Sequence, residues 1–461
     1  MPIPGEAICA LITPPGFAAI NVLRISGKGS IGIVAQYFRP RKKLLNSPSH
    51  HAIFGVFHDR AGNPLDQVLC TVFRSPHSYT GEDSVEISCH GNPQISASIL
   101  ENLLLEARLA QPGEFTLRAL LNGKLDLLQA EAVNDLICAT GNRAGSAALM
   151  QVQGYLSSHL KLLLDAITDA RLRCELAIDF SDQDLPQIDL IVLQKRVTAL
   201  LEQARALYND GNRGKYIREG IRICLAGAPN SGKSSLFNAF LKYNRAIVTP
   251  HPGTTRDYLE ESVSLHGYTL VLYDTAGLRE STDSIEREGI DRAKELMRDS
   301  DLVLWLKAFD DEHSDSDILS LPEEIAAKTL YLSSKSDLIQ TIPNTSQDAS
   351  HIDGSSPLSR LPVSVITADG MNRLYEAILQ RFSLPREELS QPLITNSRHL
   401  AALQRCISAL ENAQDSLRTD SGFEFTAFDL ITASKALEEI LGIVTTDDLL
   451  GQIFSSFCIG K

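Results

Sequence analysis

Eight consecutive residues, Gly227-Ala228-Pro229-Asn230-Ser231-Gly232-Lys233-Ser234, have the spacing G-x-x-x-x-G-K-S. Glycines at both ends of such a loop let backbone N–H groups curl around phosphate oxygens, and the following helix adds positive potential at its N-terminus. In that pattern Lys233 reaches the β- and γ-phosphates of a nucleoside triphosphate, and the Ser234 hydroxyl ligates Mg²⁺ beside Ser235. Downstream, "TPHPGTTRD" brings Thr249, His251, Thr254 and Thr255 close together. A threonine ordered by Mg²⁺ and the γ-phosphate is how GTPase switch loops sense a triphosphate, which makes Thr255 the Mg²⁺ candidate. Read alone, Gly253-Thr254-Thr255 is equally a turn. Asp274-Thr275-Ala276-Gly277 then looks like the loop that senses the γ-phosphate. Leu278 follows it where a Ras-type GTPase carries a water-orienting Gln, and a leucine cannot position a water. Either hydrolysis is poor, or another residue and another charge supply the chemistry.

Base choice rests on Ser334-Lys335-Ser336-Asp337, at the end of an apolar run. A guanine-reading N-K-x-D motif sets Asp on the N1–H and N2 amino groups of the base. Asp337 keeps that contact, while the Asn role falls to the shorter Ser334. Ser364, followed by Val365, starts the last base-contacting loop. The set favours GTP over ATP.

These residues need a scaffold of strands and helices. GIRICLAG, YTLVLYDTAG, DLVLWLKA, KTLYLSS and LPVSVI are near-continuous apolar strands, suited to a mostly parallel sheet covered on both faces. They predict an α/β domain over 216–382, with SLFNAFL as the helix behind the phosphate loop. Residues 1–120 mix short β-rich runs (AIFGVF, QVLCTVFR, SVEISCH) with one helix-like segment, ISASILENLLLEARL, and read as an α+β domain. Helical periodicity fills 121–215, where Leu160, Leu164, Ile167, Cys174 and Ile178 recur. It returns over 383–461, with Leu400, Leu403, Ile407, Leu410 and Leu417. Ordinary bundle packing explains both stretches and lets them form one domain around an insertion. TIPNTSQDASHIDGSSPLSR reads as a surface loop, and DDEHSDSD as a solvated loop rather than a calcium site.

Length of 461 residues suggests about three domains. An apolar content of 43% and a mean hydropathy of -0.05 fit a soluble globular protein. No run approaches the roughly 20 apolar residues that span a bilayer. MPIPGEAICALITPPG lacks the features of a signal peptide. Eight scattered cysteines without a C-x-x-C pair point to a reducing cytoplasm. The net charge of -14 argues against a broad nucleic-acid-binding surface, though not against a confined basic patch.

"LRISG", "TGEDSVE", "PGEFTLRALLNGKLDLLQAEA", "APNSGKSSLFNAF", "PGTTRDYLEE", "DTAGLRE" and "DDLLGQIFSSFCIGK" occur together along essentially the whole chain. The set resembles the tRNA modification GTPase MnmE (TrmE) family. That resemblance implies an α+β N-terminal folate-binding-type domain, a helical domain and an inserted Ras-like α/β P-loop GTPase domain. It also implies a cytoplasmic homodimer formed through the N-terminal domain, with no membrane association. The expected partner is the FAD- and NADH-dependent flavoprotein MnmG, in a heterotetramer or larger complex. Together they would place an aminomethyl or carboxymethylaminomethyl group on C5 of the wobble uridine of certain tRNAs. The carbon would come from 5-formyltetrahydrofolate or methylenetetrahydrofolate, and the amine from glycine or ammonium.

The resemblance also implies an answer to Leu278: K⁺ beside the β- and γ-phosphates takes the place of an arginine finger. Asn230 matches the asparagine that coordinates it, and the loop from Thr249 through His251 to Thr254 matches the lid completing its shell. Glu286 matches the acid that orients the attacking water through a second water; from the sequence alone it is an exposed helix acid. Arg24, Glu82, Lys124 and Lys461 match folate contacts, chemically apt for glutamate carboxylates and pterin N–H groups, although each alone reads as a structural or surface charge. Asn92 stands where the family's second glycine falls in "SCHGNPQ", a left-handed position that would tolerate Asn. Cys458 matches a nucleophile or proton-transfer group, or simply packs near "IFSSF". A ribosome-assembly GTPase and a non-catalytic GTP-dependent scaffold are the competing readings; the first lacks a basic RNA-binding module here.

Overall fold

The computed structural model describes residues 5–179, 190–244, 260–274, 293–309, 321–338, 360–366, 368–384, 393–419, 421–444 and 446–461. By contacts the chain divides into two units. One holds Met1–Asn134, Gln151–Gln194 and Asn412–Lys461; the other holds Asp135–Met150 and Lys195–Glu411.

Alternating apolar residues build the sheet of the first unit. Its strands are β1 (Ile8–Leu11), β2 (Ile20–Ser26), β3 (Phe38–Arg39), β4 (His51–His58), β5 (Pro64–Phe73), β6 (Ser84–His90) and β7 (Arg108–Leu109). They lie in the order β3-β4-β5-β6-β2-β1-β7, antiparallel except for the β1–β7 pair. Period-two alternation sends Leu23 and Ile25, Val68, Cys70 and Val72, and Val85 and Ile87 into one core. Gly55 is required because any Cβ there would strike the Arg39 carbonyl.

The helix expected across ISASILENLLLEARL covers only Pro93–Leu103. Its last residues are taken by the sheet: the Arg108 N–H donates to the Ala7 carbonyl at 2.9 Å and the Ala110 N–H to Cys9 at 3.0 Å. Edge pairing with β1 outweighs helix propensity there. Asn92 is also not left-handed. It sits at φ -110°, ψ 126° as the N-cap of this helix, its side chain accepting the Gln94 N–H at 2.8 Å. The tight residue is its neighbour, since a Cβ on Gly91 would overlap the Ala18 backbone.

Two helices far apart in sequence, Tyr155–Asp179 and Phe423–Leu441, pack along each other. Leu160, Leu164, Ile167 and Cys174 are buried on one, and Leu430, Ala433, Leu437 and Ile440 on the other. Both distant helical stretches therefore contribute to one core, as the periodicity predicts.

The second unit contains β8 (Ile221–Gly227), β9 (Glu260–Leu265), β10 (Tyr268–Asp274), β11 (Leu302–Ala308), β12 (Thr329–Ser334) and β13 (Leu361–Pro362). Their order is β13-β12-β11-β8-β10-β9, parallel throughout except for β9. The five apolar runs named above are all strands. One face is covered by the helices Lys233–Asn244 and Ala368–Arg381, through Leu236, Phe240, Leu374 and Ile378. Met297 and Ile325 cover Cys224, Ala226 and Val303 on the other. Asp135–Met150 belongs to this unit by its contacts, although its sequence texture groups it with the helices. Its Arg143 lies 4.4 Å from the Tyr268 ring and donates from Nε to the His266 carbonyl at 2.8 Å. Arg143 thereby holds the tip of the β9–β10 hairpin.

Candidate functional site

Parallel strands deliver their C-terminal ends to one edge of a sheet, and β8 delivers the phosphate loop there. Gly227 has φ 132° and passes so near the Leu306 carbonyl that a Cβ could not fit. Asn230 is left-handed at φ 62°, and Gly232 has φ 94°. The loop is therefore curled by its own backbone, with Asn230 exposed on its crest. Lys233, 8% exposed, folds its ammonium into the curl and donates to the Gly227 and Ala228 carbonyls at 3.0 and 2.7 Å. Ser234 and Ser235 are exposed in the first turn of the helix, where backbone N–H groups have no intrahelical acceptors. Asp274 closes β10 in register with Leu225 of β8, and is buried. The arrangement could take a phosphate: it offers the N–H groups of a helix N-terminus, an ammonium, and a hydroxyl and carboxylate of the kind that ligate Mg²⁺. Among the described residues no group of three or more His, Cys, Asp or Glu could hold a metal by itself.

The residues expected to meet the base lie at the ends of β12 and β13. Ser334 Oγ donates to the Ser231 carbonyl at 2.6 Å, tying the end of β12 to the phosphate loop. Lys335 follows at φ 60°. Asp337 sits in a 3₁₀ turn, and its Oδ1 accepts the Ser364 hydroxyl at 2.6 Å. The Ile366 N–H donates to that same Ser364 oxygen at 3.1 Å. Ser364 thus acts on Asp337 rather than standing apart from it, a role the sequence reading did not assign. Thr249, His251, Thr254 and Thr255 lie outside the described residues, as do Thr275, Ala276, Gly277, Leu278 and Glu286.

A second cluster lies in the first unit. Arg24, on β2, donates from Nε and Nη2 to Glu86 Oε1 at 3.0 and 2.8 Å. Its guanidinium also lies 5.2 Å from the Tyr79 ring centre and 5.5 Å from that of Phe115, while Nη1 is buried without a partner among the described residues. Glu82 accepts the Ser26 hydroxyl at 3.0 Å and Arg118 Nη1 at 3.1 Å. Arg118 also reaches Glu114, which Arg108 pairs with in turn, so Glu82 is one end of a chain of charges whose middle, Arg118 and Glu114, is buried. Burial alone would lift the Glu114 carboxyl. Hydrogen bonds from Arg108, the Gln111 N–H and Arg118 outweigh it and hold the group below its ordinary range.

Lys124 is exposed and donates to the Pro76 carbonyl at 3.1 Å; its stem runs beside Gly81. Lys461 is half-buried, its ammonium pushed down by burial and by Arg24, with Glu86 opposing. The Phe115 N–H holds the Lys461 carbonyl at 3.1 Å, and the Gly113 N–H holds that of Cys458 at 3.4 Å. Arg24 and Lys461 therefore come together, as do Glu82 and Lys124 through the 80–82 turn. Cys458 is exposed. Glu86, Tyr79, Glu114 and Arg118 were not singled out in the sequence. The i, i+4 spacing of Glu114 and Arg118 was a usable signal, hidden because such pairs are usually surface pairs.

The two sites define the class: a P-loop nucleotide-binding unit joined to an N-terminal sheet unit that presents paired basic and acidic side chains. Two families match, the MnmE helical domain over residues 127–458 and the GTP-binding protein TrmE N-terminus over 7–124. The tRNA modification GTPase MnmE of Aquifex aeolicus (strain VF5) is 40% identical over 459 residues, covering 99% of this chain and 100% of the relative. That of Syntrophotalea carbinolica is 38% identical over 460 residues, covering 99% of both. The chain belongs to the MnmE family. A solved G domain of the T. maritima FeoB iron transporter aligns at 26% identity and a TM-score of 0.24, covering 35% of this chain and 98% of that one. No helix among the described residues is long and apolar enough to cross a membrane.

Proposed function

We propose that the chain is the GTP-hydrolysing half of a tRNA wobble-modification enzyme. As a member of the family it is a GTP hydrolase acting in tRNA modification. The finer reading is K⁺-dependent hydrolysis in a cytoplasmic homodimer. It works with MnmG to form the aminomethyl or carboxymethylaminomethyl group at C5 of U34, using a one-carbon folate. The observation that carries this reading is relatedness across 99% of the chain, which takes in both clusters rather than the nucleotide unit alone.

The chemistry of the described residues supports this reading. The curled loop and first-turn N–H groups hold the phosphates, and Lys233 exchanges the Gly227 and Ala228 carbonyls for phosphate oxygens. Ser234 and Thr255 would hold Mg²⁺; Asn230, exposed on the crest, would hold K⁺ with Thr249, His251 and Thr254. When bound, these cations supply the charge that offsets what develops on the phosphates during transfer. Glu286 orients water in place of the Gln that Leu278 replaces. Arg24 Nη1, buried and without a partner among the described residues, suits an anionic or carbonyl group of folate, and Glu82 suits its pterin N–H donors. Lys124 and Lys461 would hold its carboxylates, and the Lys461 N–H donates to the Cys458 carbonyl at 3.3 Å, which supports a role for Cys458 beside Lys461.

Nucleoside analysis of tRNA incubated with the protein, MnmG, GTP, folate and glycine tests this reading. Lys233→Ala removes both GTP hydrolysis and the modified uridine. Arg24→Ala removes the modified uridine and leaves hydrolysis within about twofold. Full modification by Arg24→Ala would refute the folate assignment.

A further inference from the structure

Ser334 closes β12 three residues before Asp337, where an N-K-x-D motif carries asparagine. An asparagine amide has two donor hydrogens and an acceptor, so it can hold a backbone group and still donate to a base. A serine hydroxyl has one hydrogen. Here that hydrogen is committed. Ser334 is 8% exposed, and its Oγ lies 2.6 Å from the Ser231 carbonyl and 3.4 Å from that of Lys307. Both neighbours only accept, so whichever takes the hydrogen, none is left for a base.

Asp337 is the opposite case. Its carboxylate is an acceptor, fixed by the Ser364 hydroxyl on Oδ1, with acceptor positions to spare on both oxygens. Guanine presents an N1–H and an amino group on one edge, and the acceptors O6 and N7 elsewhere. A carboxylate can take the two donors. It cannot serve N7.

We propose that this chain reads the donor edge of guanine through Asp337 and leaves N7 unread because Ser334 spends its donor on the phosphate loop. The inference rests on the reading of this site as a GTP site. Ser334 is a clasp between the base strand and the phosphate loop, and a specificity-determining residue through what it withholds. Its neighbourhood agrees with that role, since a Cβ on Gly232 would lie 3.5 Å from Ser334 Oγ.

Equilibrium binding of GTP and 7-deaza-GTP, in which a C–H replaces N7, tests the inference on the full chain. The wild-type dissociation constants agree within about twofold. Ser334→Asn restores a donor and separates the two, GTP binding about 3- to 10-fold tighter, the worth of one neutral hydrogen bond. Ser334→Ala weakens both alike and leaves their ratio unchanged, which a clasp predicts and a base contact does not. A wild-type preference for GTP above about fivefold would show that N7 is read and overturn the inference. The wild-type comparison decides even where a variant does not fold. Binding of neither nucleotide would overturn the GTP reading and the inference with it.

Discussion

Replacing Glu114 by glutamine perturbs the buried charge chain under Glu82 without changing its shape. The Glu114 side chain is 2% exposed and accepts four hydrogen bonds. Oε1 takes Arg108 Nη2 at 2.7 Å and Arg118 Nη2 at 3.0 Å; Oε2 takes Arg108 Nη1 at 3.0 Å and the Gln111 N–H at 2.9 Å. A glutamine keeps one oxygen, so it loses two of these bonds and points an NH₂ at two donors. Bonds to charged groups contribute about 1.5–3 kcal/mol each, and breaking a buried ion pair costs about 3–5 kcal/mol, so the expected loss is about 3–5 kcal/mol. Native-state hydrogen exchange by mass spectrometry, over peptides spanning β1 and residues 108–122, reads it as protection falling by about two to four orders of magnitude. The pH dependence follows from the sign. The Glu114 carboxyl is held below its ordinary value in the fold, so its stabilisation is full above the unfolded value of about 4.3. It is lost as pH falls through the lowered folded value, and the gap between wild type and Glu114→Gln closes there. A loss below about 1 kcal/mol, with no closing of the gap in acid, would refute the argument.

Two further substitutions test local structure. Asn92→Ala should cost about 1 kcal/mol by removing the N-cap, whereas Asn92→Gly should cost only a few tenths; stabilisation by glycine would restore the left-handed reading. Arg143→Ala should cost the second unit about 2–4 kcal/mol, since the His266 carbonyl and Tyr268 hydroxyl lose a charged donor and the ring loses its cation. Exchange confined to 260–274 would rise, and unchanged protection there would count against the clamp.

The phosphate cradle is legible in the sequence because its chemistry restricts residue types at fixed spacing. Gly227 and Gly232 adopt backbone angles that side chains resist, and only a lysine at 233 reaches back over the loop. The parallel strands are legible because burial on both faces leaves no polar alternation. β9 was missed for the converse reason. Over residues 261–265 of that strand only Val263 and Leu265 are buried, and the strand is defined by its partner and by the left-handed His266-Gly267 turn. The helix at Pro93–Leu103 is shorter than its apolar run because β1, 100 residues before Arg108 and Leu109, pairs with them as Ile8↔Arg108 and Cys9↔Leu109. Arg118 looks like a helix-surface charge until Glu82, 36 residues away, is seen beside it. Pairings of that range follow from tertiary packing and leave no local trace.

GTP hydrolysis by the full-length protein in matched KCl and NaCl addresses the proposed mechanism most directly, with Asn230→Ala alongside. The cation reading predicts at least about tenfold faster turnover in KCl, lost in Asn230→Ala while GTP binding persists. Equal rates in the two salts would contradict it, and the charge that compensates for Leu278 would then have to come from another protein.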